Sequence, residues 1–284
     1  MGNIRENLIN FNFKKSLGQN FLIDQNILNN IIALSNVDKE TLVIEIGVGA
    51  GSLTAKIAEY AKQVIGYEID KRLESILKEK LSSCENIKVI YDDFLKRELN
   101  DDISPYKYKK LYVIANLPYY ITTPIILKFI NEKIIVDKMI IMVQKEVGDR
   151  INASPRTRDY NSLTVFLNYF FNIKKLFNVS KNSFIPKPKV DSVMLELSKK
   201  EVNDEVIDED LLFRVIRDSF RYKRKNLRNN LKEYNLEVIL EALSKYNLDL
   251  TVRAEYLTLE QFIVIANQLK LSEWKFNFFL HIII

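Results

Sequence analysis

The sequence has little cysteine and histidine: Cys84 and His281 are the only residues of either type in 284. A zinc site needs more thiolate or imidazole ligands than these two residues supply, so we expect no metal centre. They lie far apart and outside any supporting motif, which argues against a nucleophilic Cys–His pair. Sparse cysteine is typical of proteins in a reducing compartment, so we expect a cytoplasmic protein.

Long apolar runs are also absent. Charged or polar residues interrupt every apolar stretch before it reaches the length that spans a membrane. The start, MGNIRENLINFNFKK, has no apolar core followed by a small-residue cleavage site, so we see no secretory signal. Hydrophobic residues make up 47% of the chain, and the net charge of +5 is too small by itself to indicate nucleic-acid binding. The composition therefore predicts a globular protein away from membranes.

Short, almost continuously apolar runs alternate with helix-compatible segments between residues 41 and 198. Such runs are typical of parallel strands that are covered on both faces. This alternation predicts an open, doubly wound α/β sheet. The clearest runs are TLVIEIG (41–47), QVIGYEI (63–69), NIKVIY (86–91), KLYVIAN (110–116) and KMIIMVQ (138–144).

The pattern changes in the second half of the chain. A helix and two later strands, in FFNIKKLFNVS and VDSVMLELS, lead to a charged segment at 199–210 that is poor in aromatic residues, as a linker would be. Residues 211–270 then read as one helix after another. We therefore predict an α/β domain over residues 1–200 and a small all-helical domain over residues 201–284.

Three of the seven glycines stand between a predicted strand and a predicted helix, in VIEIGVGAGSLT. Glycine at these positions, Gly47, Gly49 and Gly51, lets the backbone turn tightly and approach a ligand closely. A dinucleotide site would have the spacing G-x-G-x-x-G, whereas the spacing here is G-x-G-x-G, with Glu45 inside the strand. The pattern favours a nucleoside without phosphates; the alternative is a tight turn that binds no ligand.

Acidic residues end the next two predicted strands. Glu68 follows Gly47 by 21 residues, a position where a carboxylate can accept both hydroxyls of a ribose. Asp92 and Asp93 end the third strand, where one can accept the exocyclic amine of an adenine and one can cap a helix. Together with the glycines, these acids indicate an adenosine pocket, which suits S-adenosylmethionine better than NAD.

The fourth predicted strand ends in NLPYYITTP (116–124). The Asn116 side chain and the backbone carbonyl of Leu117 offer two acceptors that can hold the hydrogens of an adenine amine and favour its out-of-plane lone pair. Tyr119 can stack on the base. Such a site orients and polarises its substrate instead of using acid–base catalysis. The alternative is a strand-to-loop turn with packed tyrosines.

Basic residues recur at intervals of three or four in the helical region. On one helix they would share a face and form a dense positive stripe for phosphates. Lys223 and Lys225 flank them and few acids intervene, so we expect RNA contact and not a solvated helix face. The six residues are Arg214, Arg217, Arg221, Arg224, Arg228 and Lys232.

Five stretches follow one another in a familiar order: KKSLGQNFL, EIGVGAG, NLPYYITTP, SFIPKPKVDS and RYKRKNLRNNL. Through them the sequence resembles the small-subunit ribosomal RNA adenine N6,N6-dimethyltransferases over roughly residues 10–270. The resemblance implies a Rossmann-like S-adenosylmethionine-dependent methyltransferase domain followed by a small helical RNA-binding domain. It also implies dimethylation of N6 of two adjacent adenosines near the 3′ end of small-subunit rRNA, and a role in small-subunit biogenesis.

The resemblance further assigns site residues. Phe184, in SFIPKP, would provide a second aromatic face opposite Tyr119. Tyr120 replaces an asparagine often found in the family, and the tail from about residue 272 matches nothing in it. The expected partner is rRNA within an assembling small subunit, bound by a monomer. The implied cofactor contacts are Asn20, Leu22, Gly47, Glu68, Asp93 and Asn116.

Three other functions compete with this one. A sister class of enzymes methylates large-subunit rRNA adenine, and SFIPKPKVDS with RYKRKNLRNNL favours the small-subunit group. A non-catalytic assembly factor on the same fold is disfavoured by the intact NLPYY. An NAD-dependent oxidoreductase is disfavoured by the glycine spacing and by the lack of a hydride-transfer constellation.

Overall fold

The computed structural model describes residues 11–14, 17–201 and 205–283 of the chain. The chain forms two compact units. One contains the chain up to Gly148 together with Ile173–Lys199, and the other contains Asp149–Asn172 together with the chain from Lys200. The longer part of the second unit thus begins near residue 200, where the sequence changes from an α/β pattern to a helical one. The second unit also includes Asp149–Asn172, which the sequence analysis assigns to the first domain.

The strands follow the apolar runs of the sequence closely. They are β1 (Phe21–Leu22), β2 (Thr41–Ile46), β3 (Gln63–Tyr67), β4 (Ile87–Ile90), β5 (Lys110–Asn116), β6 (Lys138–Gln144), β7 (Phe171–Val179), β8 (Phe184–Ile185) and β9 (Ser192–Lys199).

A seven-stranded sheet has the order β4-β3-β2-β5-β6-β9-β7. Strands β2 to β6 pair in parallel, and β9 runs antiparallel to β6. All six residues of β2 are buried, as expected for a strand covered on both faces. The chain runs outward from β2 to β4 and then returns to β5 on the other side of β2. This reversal confirms the predicted doubly wound sheet and creates a switch point between β2 and β5.

Helices connect the parallel strands. Helix α1 begins after Asp24, whose side chain accepts hydrogen bonds from the backbone N–H groups of Asn26 and Ile27. By contrast, the helix after β2 has no side-chain cap and begins after Gly51. The helices from β1 to the one that directly follows β6 are α1 (Gln25–Ser35), α2 (Ser52–Tyr60), α3 (Glu74–Lys80), α4 (Leu99–Ile103), α5 (Thr122–Asn131) and α6 (Lys145–Ile151).

The second unit is helical, as predicted. Its core contains the fully buried side chains of Leu212, Val215 and Phe262, and α7 contributes Val165 and Tyr169 to the same cluster. This packing explains why the segment with α7 belongs to the second unit. Among the described residues, no helix is both long and apolar enough for a membrane span. The helices are α7 (Ser162–Phe170), α8 (Glu209–Ser219), α9 (Leu227–Asn230), α10 (Leu236–Ser244) and α11 (Leu259–Ile283).

Candidate active site

A cavity lies at the carboxyl ends of β2, β3 and β5. It therefore occupies the switch point of the sheet, which is where open α/β sheets bind their ligands. The first unit brings eight of the predicted site residues together here, from segments far apart in sequence. They are Asn20, Leu22, Gly47, Glu68, Asp93, Asn116, Leu117 and Tyr119.

The glycine turn after β2 forms one wall of the cavity. Gly47 has φ +82° and Gly49 has φ +59°, which is a backbone conformation that other residues rarely adopt. A Cβ atom on Gly49 would also lie 2.9 Å from the ring of Phe21, which lines the cavity as well. Both backbone strain and lack of space therefore require glycine at position 49, and the backbone itself faces the cavity.

The Glu68 carboxylate is buried, with 6% of the residue exposed, and it is held by two backbone groups. Its Oε2 accepts a hydrogen bond from the Gly49 N–H and its Oε1 accepts one from the Asp70 N–H, both at 2.8 Å. Burial raises the pKa of Glu68, and these two hydrogen bonds oppose the shift. Each carboxylate oxygen can accept a further hydrogen bond, and the two backbone contacts fix the position of the group in the cavity wall.

The two acids after β4 have different partners. Asp93 Oδ1 accepts a hydrogen bond from the Leu95 N–H at 3.0 Å and caps a short 3₁₀ helix. Asp92 accepts a hydrogen bond from the Asp93 N–H at 2.8 Å and lies 3.5 Å from the guanidinium of Arg97. The capping role and the predicted adenine contact thus fall on the same residue, Asp93, whose Oδ2 takes no part in the cap.

Asn116 ends β5, and its side chain has a fixed orientation. Its Nδ2 donates a hydrogen bond to the backbone carbonyl of Asn20 at 2.9 Å, which links the end of the strand to a segment 96 residues earlier. This contact uses the donor group of the amide, and Oδ1 can act as an acceptor in a residue that lines the cavity. The following Leu117 is 1% exposed and its N–H donates to the Met142 carbonyl at 3.1 Å, so the turn is anchored to β6.

Tyr119 lies on the cavity wall with its hydroxyl tied to the sheet. The hydroxyl is 2.6 Å from Oγ of Ser192, the buried first residue of β9, and burial raises the pKa of the phenol. The ring is therefore held in one orientation beside Asn116 and Leu117. Sequence reasoning missed Ser192, although it is the last residue of the SFIPKPKVDS motif.

Phe184 is not among the residues that line the cavity. It is 3% exposed, pairs with Leu22 across β1 and β8, and belongs to a core cluster that includes Leu28 and Val179. Leu22 belongs to the same cluster and lines the cavity. The second aromatic face that the resemblance assigns to Phe184 stays a prediction.

A polar network that the sequence analysis did not identify supports the segment containing Asn20. The Asp70 carboxylate, 3% exposed, accepts hydrogen bonds from Gln19 Nε2 at 2.7 Å and from Arg72 at 2.5 and 2.8 Å. The hydrogen bond from Arg72, assisted by Gln19, lowers the pKa of Asp70 to about 2. The acid only two residues beyond Glu68 was the available sequence signal for this network.

Glu45 is a second buried carboxyl group on the cavity wall. It is 1% exposed, and its Oε2 has no hydrogen-bond partner within the part of the chain that the structure describes. Burial raises the pKa of Glu45 to about 8. The group is therefore mostly protonated at neutral pH. Over the same described residues, no three His, Cys, Asp or Glu side chains are grouped as a metal site would require.

The predicted basic residues are all exposed, but they do not share one helix face. Helix α8 ends at Ser219, and a turn precedes α9. Asn226 caps α9 with its side chain, and the amide of Asn230 binds the turn. The single stripe was therefore wrong, because side-chain contacts of two asparagines interrupt the helix. The cations instead occupy α8 (Arg214, Arg217), the turn (Arg221, Arg224), α9 (Arg228) and the residues after it (Lys232).

The fold and the site together are those of a Rossmann-like protein of the methyltransferase class, with a cavity at the switch point of its sheet. The family model for ribosomal RNA adenine dimethylase matches residues 10–271. The chain belongs to this family.

Two relatives carry a more specific name than the family does. The chain is 46% identical over 265 residues to "ribosomal RNA small subunit methyltransferase A" of Alkaliphilus oremlandii, with 91% of this chain and 92% of that protein covered. It is 41% identical over 269 residues to the protein of the same name from Staphylococcus aureus, covering 92% and 91%.

Two solved structures share the fold over nearly the whole chain. A dimethyladenosine transferase from Plasmodium falciparum has a TM-score of 0.73 at 28% identity, covering 86% of this chain and 95% of that one. The 23S rRNA methyltransferase ErmE has a TM-score of 0.71 at 27% identity, covering 88% and 100%. The fold is thus shared by an enzyme named as a dimethyladenosine transferase and by one named for 23S rRNA.

Proposed function

We propose that this protein transfers methyl groups from S-adenosylmethionine to N6 of two adjacent adenosines near the 3′ end of small-subunit rRNA. One observation carries the proposal: the Asn116 amide, oriented by the Asn20 carbonyl, shares a cavity with the Glu68 and Asp93 carboxylates. Such a cavity suits a nucleoside cofactor and a second group with hydrogens to donate. The family and the names of the relatives at 41–46% identity support the same activity.

The cavity residues fit S-adenosylmethionine. Glu68 is positioned by two backbone N–H groups as an acceptor for both ribose hydroxyls, and Asp93 provides an acceptor for the adenine amine. The turn with Gly47 and Gly49 lets the backbone pass close to the nucleoside without a side chain between them. When bound, this cofactor supplies an electrophilic methyl group on a sulfonium sulfur.

The residues after β5 prepare the nucleophile. An adenine N6 amine is a poor nucleophile because its lone pair is delocalised into the ring. On this proposal Asn116 Oδ1 and the Leu117 carbonyl accept the two N6 hydrogens and turn the lone pair out of the ring plane, while Tyr119 stacks on the base. The N6 lone pair would form the bond to the methyl carbon as the carbon–sulfur bond of the cofactor breaks, leaving its electron pair on the sulfur of the thioether product, and the proton that N6 then loses would pass to solvent. Catalysis therefore comes from orientation and preorganised acceptors.

The second unit supplies the RNA contacts in this proposal. Between residues 214 and 232 the sequence has eight basic side chains and one acid, Asp218. A base must leave its stack before N6 can be methylated, and phosphate contacts elsewhere can offset that cost. Replacing Arg221, Arg224 and Arg228 together by Gln should weaken RNA binding and reduce its salt dependence by up to about three phosphate contacts. An unchanged slope would contradict this role.

The matched test of activity uses labelled cofactor. Purified protein should methylate immature small subunits, and digestion should identify N6,N6-dimethyladenosine at two adjacent positions. Asn116→Ala is the matched inactive control, and it also tests the assembly-factor alternative, which predicts no label with either protein. Label found only on naked large-subunit RNA would instead favour the large-subunit candidate, which the similarity to ErmE supports.

A further inference from the structure

The turn between α8 and α9 exposes an aromatic ring among positive charges. Its residues 221–225, with the sequence RYKRK, are all exposed, and Tyr222 is the only aromatic among four cations. The Tyr222 residue is 56% exposed, and the guanidinium carbon of Arg221 lies 5.6 Å from the centre of its ring. Because more than half of Tyr222 is exposed, packing within its own unit does not explain why a large ring lies among cations. Contact with a ligand explains this position better.

The backbone of this turn is held by one buried side chain, Asn230, which is 8% exposed. Its Oδ1 accepts a hydrogen bond from the Tyr222 N–H at 3.2 Å. Its Nδ2 donates to the carbonyls of Ser219, Tyr222 and Lys225 at 2.6, 3.3 and 3.4 Å. The Lys225 N–H also closes the turn onto the Tyr222 carbonyl at 2.9 Å.

Both backbone groups of Tyr222 are therefore fixed before any ligand arrives. A fixed turn loses little conformational entropy when it binds, so more of the contact energy appears as affinity. An aromatic ring presented in this way offers a flat surface to another flat surface.

We propose that Tyr222 stacks on an unpaired base of the RNA while the neighbouring cations hold the flanking phosphates. This inference rests on the proposed RNA-binding function. Bases inside an RNA helix are not accessible to such a ring, whereas bases in loops, bulges and ends can stack on aromatic side chains. The ligand class is thus RNA with an unpaired nucleotide, and the base is a second one, because the target adenine is assigned to Tyr119.

The test compares two RNA hairpins that differ by one bulged nucleotide and whose strands are joined by a non-nucleotide linker in place of a loop, so that only the bulged hairpin has an unpaired base. Dissociation constants are measured over a range of salt concentrations for the full chain and for Tyr222→Phe and Tyr222→Ala. Tyr256→Ala is the control, because that tyrosine is also exposed (45%) in the same unit but follows an acid, Glu255. Tyr222→Ala should weaken binding of the bulged hairpin by roughly 5- to 150-fold, the range that base–aromatic stacking gives.

The pattern of effects distinguishes stacking from charge. The loss in Tyr222→Ala should be equal at every salt concentration, because no phosphate contact is removed, and it should be absent with the fully paired hairpin. Tyr222→Phe should bind as the unaltered protein does. Asn230→Ala should reproduce the loss with the ring still present, since the turn is no longer held, and cofactor affinity should stay the same.

The results distinguish failure of the stacking inference from failure of the proposed RNA-binding function. If Tyr222→Ala binds both hairpins normally while the triple arginine variant loses affinity, stacking is refuted and the RNA-binding surface stands. If neither variant loses affinity, the RNA-binding surface itself is refuted. A loss in Tyr222→Ala that is equal for paired and bulged hairpins also overturns the stacking inference.

Discussion

The Glu68 carboxylate allows the sharpest test of the cofactor site. Its two oxygens accept hydrogen bonds from the Gly49 and Asp70 N–H groups, so they hold the glycine turn and the end of β3 in one arrangement. Replacing Glu68 by Ala removes both acceptors for the ribose hydroxyls. Leaving such groups unpaired costs about 1–3 kcal/mol, which corresponds to roughly a 5- to 150-fold rise in the dissociation constant.

Glu68→Gln separates charge from shape. The amide keeps the length of the side chain but places an NH₂ group against the N–H of either Gly49 or Asp70, where a donor meets a donor. We therefore expect Glu68→Gln to weaken cofactor binding nearly as much as Glu68→Ala. If Glu68 only filled space, Glu68→Gln would weaken cofactor binding much less than Glu68→Ala, because glutamine has nearly the same size as glutamate.

Titration calorimetry with S-adenosylhomocysteine, the demethylated product, measures this affinity without turnover. Glu74→Ala is a suitable control, because Glu74 is an exposed acid that pairs with Lys78 on the helix after β3. Thermal melts of all three variants show whether each is folded. Unchanged affinity in a folded Glu68→Ala would refute the assignment of Glu68 to the ribose.

Three further results are expected. Asn116→Ala should lower turnover at saturating RNA by roughly 10²–10³, as loss of other preorganised polar groups does, and a normal single-turnover rate would refute the mechanism. Because the pKa of Glu45 is raised from 4.5 to about 8, the folded chain holds more protons than the unfolded chain between these values. Its contribution to stability is thus complete below pH 4.5 and is lost as pH rises towards 8, by about 1.4 kcal/mol per pH unit at most. Urea titrations at pH 5 and pH 8 should show that the free energy of unfolding of Glu45→Gln lacks this pH dependence, whereas that of the unaltered protein has it. Parallel pH profiles for the two proteins would contradict the prediction. A chelator should leave methyl transfer unchanged, which a radiolabel assay checks.

The sheet and most of the cavity could be predicted because their signals are local. Parallel strands covered on both faces need unbroken apolar runs, and each run became a strand within about two residues of the predicted ends. The acids Glu68 and Asp93 stand at strand ends, and parallel strands bring their carboxyl ends to one edge. For Glu68 and Asp93, a place at the end of a predicted strand was therefore enough to predict that both lie at the same edge of the sheet.

The basic stripe failed because helical spacing does not show where a helix stops. The segment 214–232 contains neither proline nor glycine, so nothing of the usual kind marks a break. The break comes from Asn226, which caps a new helix, and from Asn230, which binds three carbonyls of the turn. Asparagine just before Leu227 was the available cap signal.

Contacts between distant segments could not be predicted either. Nothing in the sequence around Asn116 indicates that its amide meets the Asn20 carbonyl, or that Tyr119 meets Ser192 73 residues later. Phe184 shows the same limit in reverse. Its motif was recognised, but only the structure shows that Phe184 pairs with Leu22 and packs with it in one core cluster.

These distant contacts share a chemical logic. Asn116 uses its NH₂ group on the scaffold and, on the proposed mechanism, keeps its oxygen for the substrate, while Glu68 uses one lone pair on each oxygen and keeps another. On that mechanism each functional group is oriented by a hydrogen bond that the reaction does not need. An aspartate at position 116 would have no donor for the Asn20 carbonyl and would set oxygen against oxygen there. The proposed mechanism therefore requires the amide for its nitrogen as much as for its oxygen, although only the oxygen would meet the reacting amine.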